Sequence, residues 1–139
     1  MLEAPGRQAA AAHCPVLIVE DDADLREMMA QLLMLEGFRT ATASNGREAL
    51  DYLRTGRSPD IILLDLIMPK LQGFDVLREL KQDPTTSSIP VIILSNLGQE
   101  QDSKVATEMG AVDYWVKANI GPGEMAKRVE ALLGAKEGS

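Results

Sequence analysis

Residues 60–75 read DIILLDLIMPKLQGFD, and the aliphatic run Ile61 to Leu64 leads straight into Asp65. A strand with one wet face alternates apolar and polar side chains; this run has no polar member, so it suits a strand covered on both faces. Val16 to Val19 and Val91 to Leu94 are runs of the same kind, followed by Glu20-Asp21-Asp22 and by Ser95. Each buried run therefore ends on polar chemistry at its carboxyl side.

Between these runs the period changes from two to about 3.6. Leu25, Met28, Met29, Leu32 and Leu33 recur at three- and four-residue spacing, which predicts a helix with that stripe in the core, and Gly37 is placed to end it. Phe38 to Ala43 alternates as a second strand. Asn45 with Glu48 forms a capping-box pattern that opens a helix turning Ala49, Leu50 and Leu53 inward. Phe74, Leu77 and Leu80 mark a third helix, ended by Asp83-Pro84. Val105, Ala106 and Met109 mark a fourth, closed by Gly110. Val112 to Val116 reads as strand five, and Pro122 suits the first turn of a last helix burying Met125, Val129, Leu132 and Leu133.

Five strands alternating with five helices predict an α/β fold: a doubly wound, five-stranded parallel sheet, with helices on both faces and strand order 2-1-3-4-5. One domain over residues 15–134 accounts for the pattern, with disordered tails expected at 1–14 and 135–139. Apolar residues make up 45% of the 139 and charged residues 25%, an ordinary globular balance. Lys and Arg number 14 against 21 Asp and Glu, a net charge of −7, which argues against nucleic acid as a partner. The aliphatic runs are far short of the roughly 20 residues that span a bilayer, so no membrane association is expected. Cys14 is the only cysteine. It excludes an internal disulfide, fits a cytoplasmic location, and with His13 alone makes a structural zinc site untenable.

In open sheets of this kind ligands bind beyond the carboxyl ends of the strands. Strand one ends in Glu20 and Asp21, strand three in Asp65, strand four in Ser95 and strand five in Lys117. Asp60 stands at the far end of strand three and is excluded. Two unit charges about 4 Å apart repel by roughly 4 kcal/mol at an effective dielectric near 20, so three crowded carboxylates call for a hard divalent cation. Magnesium suits a few carboxylates together with waters and a phosphate oxygen. Asp65 could then act as a nucleophile toward phosphorus, with Lys117 and Ser95 stabilising the transferred group.

These positions, in this order, resemble the receiver domain of bacterial response regulators over residues 15 to 134. The resemblance implies the flavodoxin-like receiver fold and a phosphorylation-dependent switch of a two-component phosphorelay. It makes Asp65 the phosphoacceptor, fed by a sensor histidine kinase or phosphotransfer protein. It implies Mg2+ held by Asp21 and Asp65, by Glu20 mainly through water, and by the backbone carbonyl of Ile67. Ser95 becomes the switch hydroxyl, Lys117 the phosphate-pairing amine and Tyr114 the aromatic that swings with Ser95. It also implies an output face over residues 99–134 for a downstream protein, in a monomer or a phosphorylation-dependent dimer. The only chemistry expected is autophosphorylation and slow autodephosphorylation, because Ile67 and Leu97 are too apolar to orient a water.

Two positions depart from the family pattern. Ala118 follows Lys117 where receivers usually carry proline, which predicts a trans bond there. Asn96 replaces a small residue after Ser95. Both leave room for an alternative, a pseudo-receiver that binds partners without phosphorylation. A dehalogenase-type phosphatase would need an acid where Ile67 stands, and a flavodoxin would need hydroxyls where strand one ends in acids.

Overall fold

In the computed structural model, residues 16–56, 58–66, 73–95 and 100–138 are described. The strands are β1 (Val16–Val19), β2 (Thr40–Ala43), β3 (Ile61–Asp65), β4 (Val91–Ser95) and β5 (Asp113–Val116). The helices are α1 (Ala23–Leu35), α2 (Gly46–Arg54), α3 (Gly73–Gln82), α4 (Glu100–Glu108) and α5 (Pro122–Gly138). All neighbouring strands pair in parallel, in the order β2-β1-β3-β4-β5. That is the order expected from the alternating pattern.

Side chains of successive strand residues point to opposite faces, and this splits the aliphatic runs between two cores. Leu17, Val19, Ile62, Leu64, Val91 and Ile93 pack with Leu50 and Leu53 of α2, Val76, Leu77 and Leu80 of α3, and Ala106 of α4. Val16, Ile18, Ile61, Leu63, Ile92 and Leu94 pack with Met29 and Leu33 of α1 and with Met125, Val129 and Leu133 of α5. The unbroken apolar runs are thus the signature of a sheet dry on both sides.

The helix ends carry the local chemistry read from the sequence. Asn45 Oδ1 accepts from Glu48 N at 2.9 Å, while the Glu48 carboxylate reaches back to Ser44 N at 2.8 Å. Gly37 takes φ of 98°; its amide donates to Met34 O and that of Phe38 to Leu33 O, both at 3.0 Å, which closes α1 as a Schellman motif. Gly110 repeats the device at the end of α4, with φ of 106° and Ala111 N donating to Ala106 O. Lys81 Nζ donates to Ser87 O and Ile89 O, at 3.0 and 3.1 Å, and ties down the chain entering β4.

Three sequence expectations need correction. Met28 is 48% exposed, not core: Met29 and Leu33 face the sheet, and Met28 is rotated by about 100° from Met29. Leu132 is 38% exposed beside buried Leu133 for the same reason. Phe38 and Val112 precede their strands, which begin at Thr40 and Asp113. Helix α5 itself runs on past residue 134 to Gly138.

A Cβ on Gly110 would meet the Lys81 stem at 3.3 Å and would also have to adopt the left-handed conformation. Gly110→Ala is expected to lower unfolding free energy by about 1–2 kcal/mol in urea titrations. An unchanged transition midpoint would contradict this account of the turn.

Candidate functional site

Strand register decides which polar residues meet. Val19 lies beside Leu64, Asp65 beside Leu94 and Ser95 beside Val116, so Glu20, Asp65, Ser95 and Lys117 sit along one carboxyl rim. Pleating then sorts them. Glu20, Asp65 and Lys117 share the parity of the α1/α5 face, whereas Ser95 and Tyr114 share that of the opposite face. Ser95 is buried, and Tyr114, half-buried against the core beside Ile93, lies two rungs away on the neighbouring strand. The rim thus contains an acid–amine centre on one face and Ser95 on the other, with Tyr114 further back on that second face.

The acid–amine centre is nearly dry. Lys117 Nζ lies 2.8 Å from Glu20 Oε1 and 3.2 Å from Asp65 Oδ1, with the Lys117 and Glu20 side chains 9% and 1% exposed. Glu20 Oε2 also accepts from Asp22 N at 3.2 Å. One oxygen from each of Glu20, Asp21 and Asp65 lies within 4.8 Å of the others. Asp21 is exposed and forms the open side of the cluster.

Three carboxylates against one ammonium leave two negative charges in excess. Burial, and then the Glu20 charge, push the Asp65 carboxyl up to about 7, with a hydrogen bond to Asp21 adding to the rise and Lys117 opposing it. Burial pulls Lys117 down, but its hydrogen bond to Glu20 and the charges of Asp65 and Glu20 outweigh this and hold it above the ordinary lysine value. A divalent cation would cancel the excess, and the all-oxygen donor set fits magnesium.

No peptide bond among the described residues is cis, so Lys117–Ala118 is trans. Ile67, Asn96 and Leu97 lie outside the described residues.

The response regulator receiver domain family model matches residues 16–130. The chain belongs to this family. A probable transcriptional regulator, ycf27, of Guillardia theta is 40% identical over 118 residues, covering 85% of this chain and 44% of that protein. Transcriptional regulatory protein CpxR of Escherichia coli K12 is also 40% identical, over 85% of this chain and 48% of its own length. The chain spans about half the length of the curated relatives it matches. Among solved structures, the receiver domain of Francisella response regulator 1452 superposes with a TM-score of 0.77 at 30% identity, covering 87% of this chain and 97% of that one. A receiver domain of a Syntrophus aciditrophicus signal transduction histidine kinase gives 0.75 at 36%, covering 86% and 89%. The receiver fold and the two-component family are therefore established for this chain.

One residue of the receiver site escaped the sequence reading although it stood inside the decisive stretch. Gly73 opens α3 with its amide donating to Leu66 O at 2.8 Å. A Cβ there would lie 2.5 Å from Asp65 O and 2.7 Å from Leu66 Cα. The absent side chain lets the helix start against the backbone that carries Asp65. Only the three-dimensional approach reveals this, since a glycine before a helix otherwise reads as a turn.

Gly73→Ala must displace backbone, and is expected to cost about 2–3 kcal/mol in urea unfolding; a loss below measurement error would contradict the close approach. A second expectation concerns pH. An acid with a raised folded pKa binds more protons folded than unfolded between its ordinary value and about 7, so it erodes stability as pH rises through that window. In EDTA, Asp65→Asn should therefore gain stability over wild type progressively from pH 4 to 7, by on the order of 2 kcal/mol. A difference independent of pH would show that the Asp65 carboxyl is not perturbed.

Proposed function

We propose that this receiver domain is a magnesium-dependent phosphorylation switch with Asp65 as its phosphoacceptor. An Asp65 carboxylate oxygen attacks the phosphorus of a phosphohistidine on a sensor kinase or phosphotransfer protein. The P–O bond forms as the P–N bond breaks, the electron pair leaves on the imidazole nitrogen, and that nitrogen takes a proton. Lys117, already 3.2 Å from Asp65, pairs with a phosphoryl oxygen, and Ser95 donates to another. Asp21 and Asp65 would hold magnesium directly, Glu20 through water, with the Ile67 carbonyl as a further ligand. When bound, the ion supplies the positive charge that lets an anionic phosphoryl group approach an acidic rim.

The observation that carries this reading is the Lys117 ammonium bridging two buried carboxylates at a strand-end rim. Excess negative charge beside a third, exposed acid is what a cation-binding rim would present. Ser95 and Tyr114 lie on one sheet face, two residues apart in register, which fits transmission from the rim toward the 99–134 face, where a downstream protein would dock.

Incubation with acetyl phosphate and MgCl2 tests the proposal. Intact-mass spectrometry should show one added phosphoryl group in wild type, none in Asp65→Asn, and none when EDTA replaces magnesium. Wild type that stays unmodified, while still folded, would favour the pseudo-receiver reading.

A further inference from the structure

The turn that carries the acid pair is anchored at both ends. Glu20 N donates to Ala43 O at 3.0 Å as the chain leaves β1. Asp22 caps α1, its Oδ1 accepting from Asp24 N and Leu25 N at 3.0 and 3.2 Å. Between these anchors lies the Glu20–Asp21 peptide, whose plane sets the direction in which the exposed Asp21 side chain departs. The oxygen of that peptide accepts a 2.8 Å hydrogen bond from Nη1 of Arg26, six residues further on and half-buried. The guanidinium thus reaches back from α1 across the whole acid turn to grip a backbone carbonyl beside three carboxylates.

We propose that Arg26 is a positioning residue for the cation site. By holding the Glu20 carbonyl it fixes the Glu20–Asp21 peptide, and so aims the Asp21 carboxylate at the space shared with Glu20 and Asp65. This inference rests on reading that rim as a magnesium site.

Charge and geometry pull in opposite directions here, which makes the role testable. A guanidinium beside the acids repels a divalent cation, so on charge alone its removal tightens magnesium binding. A group that orients a ligand has the reverse effect: losing partners behind metal ligands typically weakens affinity by about 10–100-fold. A role confined to stability would change unfolding without moving affinity.

Isothermal titration calorimetry with MgCl2 on the whole chain separates these cases, alongside urea unfolding in EDTA. Arg26→Ala is expected to bind magnesium about tenfold more weakly than wild type. Arg26→Lys should fall between the two, because an ammonium can still reach the carbonyl as a single donor. An Arg26→Ala affinity equal to wild type, or tighter, overturns the proposal whatever happens to stability. If that variant does not fold, Arg26→Met keeps the apolar stem without the donor; the same loosening is expected, and unchanged affinity overturns the idea. If wild type itself takes up no magnesium, the metal reading of the rim has failed, a result distinct from wild type and variant binding alike.

Discussion

Two buried carboxylates share one ammonium, with a third carboxylate beside them, at the edge of a sheet covered on both faces, and this crowding is what the rest of the site depends on. Lys117 lies within 3.2 Å of Glu20 and Asp65, and Asp21 closes the cluster from the solvent side. Taking ions out of water costs several kcal/mol each, and a pair repays that only with good geometry and further hydrogen bonds. Glu20 meets the condition, accepting from both Lys117 and Asp22 N. Asp65 does so less completely, and its carboxyl is pushed up to about 7. The proposed phosphoacceptor is thus a carboxylate whose charge the protein compensates poorly.

The fold delivers this arrangement through register and close approach. Parallel pairing brings the ends of β1, β3, β4 and β5 level, and pleating then separates the acid–amine centre from the Ser95–Tyr114 pair on the opposite face. Gly73 lets α3 begin against the backbone of Asp65, so the strand end has little freedom to drift.

Much of this was legible in the residues. Aliphatic runs without polar interruption announce a sheet covered twice, and the polar residues after them single out Glu20, Asp21, Asp65 and Ser95, with Lys117 at the end of the more mixed fifth strand. What could not be read was angular or long-range. Met28 and Leu132 fit the apolar spacing of their helices, yet lie one step round from the buried face, and spacing does not say how much of a helix its neighbours cover. The direct Glu20–Lys117 contact spans 97 positions in sequence, and no local pattern announces it. Arg26 gives no motif signal either, because its partner is a backbone carbonyl rather than a side chain.

Burial and the Glu20 charge leave the Asp65 carboxylate under-compensated, and a bound cation would relieve it. Carbon-13 NMR titration of the Asp65 side-chain carboxyl, with and without magnesium, tests it directly. The account predicts a midpoint near 7 in metal-free protein and a marked fall once the ion is added. A metal-free midpoint close to the ordinary aspartate value of 3.8, unmoved by magnesium, would contradict it.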